Sequence, residues 1–163
     1  MAREMRAVGV DFLDTAAHRF VYHAVIRRTP EQVFDAIASQ PAGYGDWYPG
    51  FDHSGRWLST GPPGVGSRRR VRMARVSYEE TILEWERPAR FAFRVDRATV
   101  PLARALAEGY RIGDHPSGTA LEWVFTIDPG PFLGPLLGRS DPVLSRLFTR
   151  ASSNLEKYLP PEA

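Results

Sequence analysis

The sequence predicts an α+β fold: an antiparallel meander of seven strands packed against one long C-terminal helix. Three observations predict it. Six segments of strand character follow one another between residues 54 and 128, separated by short breakers rich in Gly and Pro, and strands in direct succession pair antiparallel. A further alternating segment, 19–27, precedes them. The chain then carries Val143, Leu144, Leu147, Phe148, Ala151, Leu155, Tyr158 and Leu159 at three- and four-residue spacing, the period of an amphipathic helix.

Each element has its own signal. Residues 1–17 show no clear period and are expected to be a poorly ordered lead-in to one domain over 18–160. In 19–27, Phe20, Tyr22, Ala24 and Ile26 alternate with Arg19, Val21, His23, Val25 and Arg27, a strand pattern. Thr29-Pro30-Glu31-Gln32 opens a helix: Thr29 can cap, Pro30 suits the first helical position, and Gln32 completes a capping box. Val33, Phe34 and Ile37 form its apolar stripe, and the aromatic turn at 45–51 has room for one more helical turn. That places two short helices between the first and second strands. The remaining strands are expected at 54–60, 67–75, 76–86, 90–99, 109–114 and 119–128, with 101–108 as a short helical insert. The last helix starts at Asp141-Pro142, and Pro160-Pro161 stops it.

Bulk composition narrows the function. A chain of 163 residues with 43% hydrophobic and 25% charged residues suits one domain with a real core. The absence of cysteine excludes disulfide and thiolate chemistry and argues against a structural zinc site. No apolar run is long enough to span a membrane and no secretory signal opens the chain, so a cytoplasmic protein is expected. A pI of 9.2 could mark a nucleic-acid binder. Arg68, Arg70 and Arg72 do share one strand face, but Glu79, Glu80, Glu84 and Glu86 follow directly and dilute the field that phosphates would need. A solvated outer face is the better reading, and nucleic acid is not favoured. The four histidines are scattered and no dinucleotide or phosphate loop occurs, so neither metal nor cofactor is expected.

Four local patterns carry a resemblance: 28–37 at the first helix, Trp47-Tyr48-Pro49-Gly50-Phe51, the stretch 82–93 running Ile-Leu-Glu-Trp-Glu-Arg-Pro-Ala-Arg-Phe-Ala-Phe, and Asn154-Leu155-Glu156-Lys157-Tyr158-Leu159. In this order, over about residues 18–160, they resemble the START-like (SRPBCC) superfamily in its polyketide cyclase/dehydrase branch. The resemblance implies a helix-grip fold, a curved antiparallel sheet wrapped around the long C-terminal helix. It also implies a hydrophobic cavity between the two, which holds lipids, sterols, polyketides or hormones in different relatives. It supplies no universal catalytic motif.

Candidate site residues follow from strand faces. Phe91, Phe93, Trp123, Phe125, Leu144 and Phe148 are expected to line the cavity, and Trp47, Tyr48 and Phe51 to cover its mouth. Tyr78 and Glu80 share a face with Ile82, and Arg94 shares one with Asp96; on concave faces they would orient a ligand. Which face of 76–86 is concave stays open, because Ile82 lies on one side and Leu83 and Trp85 on the other. The apolar segments 101–108 and 130–138 could cover an entrance. The expected function is binding of an apolar or aromatic small molecule, a lipid, polyketide or similar. One alternative is a polyketide cyclase, aromatase or dehydratase that folds a flexible chain and uses Glu80 or Asp46 as acid or base. A second is a protein-interaction module of antitoxin or stress type that uses the Arg-rich strand. Ligand identity and oligomeric state are left open.

Overall fold

A computed structural model of the chain describes residues 2–131 and 133–161. Met1 of the expected lead-in, Phe132 of the 130–138 segment, Glu162 and Ala163 lie outside it. The seven expected strands all form: β2 (His18–Ile26), β3 (Arg56–Trp57), β4 (Arg68–Met73), β5 (Val76–Glu86), β6 (Arg90–Ala98), β7 (Ala103–His115) and β8 (Gly118–Pro129). An eighth, β1 (Arg3–Glu4), precedes them. The sheet order is β2-β8-β7-β6-β5-β4-β3, every pair antiparallel, and β1 pairs with the far end of β6 where β7 has diverged. This is a meander whose first strand closes against its last, the curved sheet of a helix-grip fold.

Between β2 and β3 lie the two short helices. Thr29 caps α2 (Pro30–Phe34) with the full capping box to Gln32, a π-helical turn follows at Asp35–Ser39, and the aromatic turn holds α3 (Tyr44–Trp47). A longer helix, α4 (Asp141–Tyr158), fills the concave side and buries Phe148, Ala151 and Leu155. Another one-turn helix, α1 (Phe12–Thr15), packs on the convex side.

The open face of β5 is settled by two register shifts. Glu80 pairs with Val95 and Ile82 with Phe93, but Leu83 is an extra residue, so that Glu84 meets Ala92 and Trp85 meets Phe91. A bulge returns the next side chain to the same face. Ile82 and Trp85 therefore both belong to the main core, and Leu83 packs on the convex side.

Four expectations need correction. Segment 101–108 is not a helical insert: β7 begins at Ala103, with Leu106, Tyr110 and Ile112 turned into the main core. Its Leu102, Ala105 and Leu106 imitate a helical period because alanines fill the convex positions. There Ala105 and Ala107 pack with Val8 and Leu13 of the N-terminal segment. That segment is accordingly not a loose lead-in; Leu13 is buried, and a side chain at Gly109 would stand 2.8 Å from its Cδ1. Strand character at 54–60 is reduced to Arg56–Trp57. Finally, Val143 and Tyr158 are exposed at 65% and 40%, because the sheet covers a narrower stripe of α4 than the apolar pattern spans.

Candidate functional site

The sheet and α4 do not close on each other completely. A cavity of about 240 Å³ remains between them. Much of its wall is apolar. Phe93 and Val95 come from β6, Leu102 from just before β7 and Leu106 from within it, Phe125 and Ile127 from β8, and Leu144 and Leu147 from α4. Phe51 and Met73, joined by a backbone bridge, and Leu133 complete this part.

The polar wall is built from the paired strands β4 and β5, from β7 on the far side of β6, and from α3 with the residue that ends it. Arg69 of β4 pairs directly opposite Glu80 of β5, both on the concave face, and their side chains form an ion pair at 2.6 Å. Arg69 is 1% exposed and Glu80 4%. The guanidinium also donates to the Ile37 carbonyl at 3.3 Å and lies over the rings of Phe93, Phe91 and Tyr44 at 4.8, 5.0 and 5.3 Å. Burial pulls the Arg69 pKa down, but the charge of Glu80, with Tyr44, more than offsets it and holds the guanidinium above its ordinary value. The Glu80 carboxyl is lifted above the usual carboxylate range by burial, against the pull of Arg69.

Glu108 is the second carboxylate. It sits on β7 between Leu106 and Tyr110, deep in the protein but with part of its surface open to the cavity. Its Oε2 accepts from Trp123 Nε1 at 2.8 Å and from the Tyr110 hydroxyl at 3.4 Å. Its Oε1 has no hydrogen-bond partner among the described residues. Burial pushes its pKa up to about 7; the Trp123 bond pulls the other way and the charge of Glu80 adds to the rise. Around it stand Tyr44 and Tyr78, whose phenols burial pushes up to about 12, and Tyr48, whose phenol burial lifts well above its ordinary value. Tyr44 spends its hydroxyl on the Ile37 carbonyl at 2.6 Å.

The expected site residues divide by position. Tyr48, Phe51, Tyr78, Phe93, Trp123, Phe125 and Leu144 line the cavity, as does Glu80. Phe91, Phe148 and Trp47 are buried beside it without forming its wall. Phe148 stacks on Trp123 with centroids 5.4 Å apart, and Trp47 packs on Tyr44 at 4.9 Å. Arg94 is corrected outright. It lies on the convex face, bonded to Asp96 at 2.7 Å and to the Val8 carbonyl, because the alternation that turns Phe93 and Val95 inward turns Arg94 outward. Asp46 faces solvent and meets His53 at 2.9 Å, away from the cavity. Of the Arg-rich strand, Arg68 and Arg70 both reach Glu79, and Arg72 stands near Asp52.

Sequence reasoning missed Arg69, Tyr44, Glu108 and Tyr110. A signal for Glu108 was present: it is the one acid in the every-second-residue row Leu106, Glu108, Tyr110, Ile112. Reading 101–108 as helical broke that row. Among the described residues no three His, Asp or Glu side chains converge in the manner a metal needs, and no helix is long and apolar enough to cross a membrane.

An uncharacterised protein of Mycobacterium tuberculosis is 30% identical over 152 residues, 93% of this chain and 90% of its own length. The crystal structure of ginseng major latex-like protein 151 superposes with a TM-score of 0.71 at 9% identity, over 88% of this chain and 98% of that one. A Chromobacterium violaceum protein superposes with a TM-score of 0.65 at 17% identity, over 88% and 99%. Both likenesses are of fold. The family described as polyketide cyclase / dehydrase and lipid transport matches residues 17–160, and with nearly the whole chain covered, the protein belongs to that family.

Proposed function

We propose that the protein binds an apolar or aromatic small molecule, a lipid, polyketide fragment or comparable compound, in the cavity between sheet and α4. One observation carries this reading: a core otherwise filled by large side chains keeps a cavity of about 240 Å³ with a largely apolar wall and a few clustered polar groups. Such a combination is characteristic of small-molecule sites, and its volume of about 240 Å³ lies just below their usual range of roughly 300–1,000 Å³. A short acyl chain or a molecule of one or two rings suits it better than a sterol. Membership of a family associated with apolar ligands supports the same reading. The test is native mass spectrometry of the protein purified from its own host, beside the denatured spectrum. A released mass of a few hundred daltons or less is expected. A bare native mass, together with no uptake of any hydrophobic fluorophore, overturns the proposal.

A second reading, a cyclase or dehydratase, is favoured by Glu108. A carboxyl that titrates near neutrality inside an apolar cavity can give or take a proton from a ligand carbonyl. It replaces Glu80, which is committed to Arg69, and Asp46, which lies outside. Loss of turnover in Glu108→Gln with ligand affinity retained supports this reading; unchanged turnover removes it. An interaction module using the Arg-rich strand gains no support, because Glu79 already holds two of its three outward arginines.

A further inference from the structure

Three of the cavity-lining residues carry a formal charge: Arg69, Glu80 and Glu108. The first two cancel. Arg69 is moreover saturated, with a carboxylate, a carbonyl and three ring faces around it, so it has little left to offer an anionic ligand. Glu108 remains as the third charge. No cation pairs with it among the described residues, and only one of its oxygens is occupied. The surrounding wall adds to the same field. Tyr48, Tyr78, Tyr110 and Trp123 are aromatic, and ring faces are electronegative.

A buried, unpaired carboxylate is costly unless it loses its charge or gains a counter-ion. Without a counter-ion the first route operates: burial raises the Glu108 pKa to about 7, so that it takes up a proton near neutrality. A ligand can supply the second. The need is for a group that donates to Oε1, carries one positive charge, and tolerates aromatic faces. A protonated amine meets all three conditions, a hydroxyl only the first and third, and a carboxylate none.

Resting on the cavity-binding reading above, we propose that the ligand is an aryl- or alkylamine whose ammonium group binds the free Oε1 of Glu108 while its apolar body fills the cavity toward α4. The ion pair Arg69–Glu80 is a fixed part of the wall, which excludes acids, and Glu108 is the selecting residue.

The experiment uses the full-length protein and three matched probes, 1-naphthylmethylamine, 1-naphthylmethanol and 1-naphthoic acid, titrated calorimetrically at about pH 8, where Glu108 is ionised and the amine is still largely protonated. The amine is expected to bind at least about ten-fold more tightly than the alcohol, and the acid most weakly. In Glu108→Gln the amide oxygen can still accept from Trp123, and the preference for amine should fall to about two-fold or less. Wild-type protein provides a second readout. At about pH 5.5 the amine should lose five-fold or more in affinity, because Glu108 must first give up a proton. The other groups facing Glu108 are the Arg69–Glu80 pair on β4 and β5, Tyr78 on β5, Tyr110 on its own strand, Trp123 on β8, Tyr44 on α3 and Tyr48 just after it; α4 presents Leu144 and Leu147. A pH effect that persists in Glu108→Gln therefore belongs to Glu80 and overturns the assignment. Alcohol or acid binding as tightly as the amine overturns the amine proposal and leaves the cavity reading intact. Failure of all three probes to bind overturns both.

Discussion

At the level of single residues, the energetics of the cavity rest on two carboxylates in opposite situations. Glu80 is buried and paired, so removing its partner leaves a charge with nothing to balance it. Arg69→Met should cost about 3–5 kcal/mol by urea denaturation at neutral pH, and Arg69→Met with Glu80→Leu should recover most of that loss. Equal loss in single and double variants would mean that packing of the arginine over its three rings, and not charge, is what matters. Glu108 is buried and unpaired, and its folded pKa of about 7 stands above the ordinary 4.5. Between these values the folded state binds more protons than the unfolded state. Its contribution to stability is therefore fully present below about pH 4.5, falls as pH rises, and levels off above about 7. Glu108→Gln removes this slope. The variant should match the parent near pH 4.5 and exceed it at pH 8 by about 1–3 kcal/mol, a range kept low because part of the carboxyl opens on the cavity. Thermal melts of both proteins across this window check it.

Elements show the same logic in backbone form. The β4–β5 hairpin closes over Ala74 and Arg75, with Met73 paired to Val76. Both turn residues have positive φ, 49° and 68°, the geometry of a two-residue type I′ turn. Neither is a residue that adopts it without cost. Ala74→Asn with Arg75→Gly should stabilise the protein by about 1 kcal/mol, read from a shift in the urea midpoint at unchanged m-value. The convex side offers the complementary case. Leu13 reaches the sheet because position 109 has no side chain, so Leu13→Ala should cost about 2–3 kcal/mol and free the N-terminal segment to early proteolysis. Strands, capping box and long helix were legible in the sequence because each depends on local alternation or spacing. Two features were not, and for one physical reason. The bulge at Leu83 and the strand identity of 103–108 are fixed by the partner across the sheet: by Ala92 in one case, by Leu13 and Val8 packing on Ala105 and Ala107 in the other. No window along the chain contains the partner; for 103–108 the only local trace is the alternating row Leu106, Glu108, Tyr110 and Ile112, which the convex alanines obscure.

For the molecule as a whole, the cavity exists because a strongly curved sheet cannot meet a straight helix along its full length; side chains of β6, β7 and β8 fill only part of the gap. Apolar wall positions such as Phe93, Trp123 and Phe125 could be read from alternation alone. Arg69 could not. It lies among Arg68, Arg70 and Arg72 and differs from them only in the face it takes, which a charge count does not see. The same fold-level view separates cavity from core by experiment. Leu144 enters the cavity from α4, whereas Leu155, about three turns further along the same face, is fully buried. Leu144→Trp places a larger side chain into existing space and should leave stability within about 1 kcal/mol of the parent, since no packed neighbour must move. Leu155→Ala removes packed atoms and should cost about 2–5 kcal/mol. If the cavity is the binding site, uptake of a hydrophobic probe should be lost in Leu144→Trp and retained, below the melting temperature, in Leu155→Ala. Were both variants to lose stability equally, the space at Leu144 would be closed in solution, and the proteins would differ from any ligand carrier in having a continuous core.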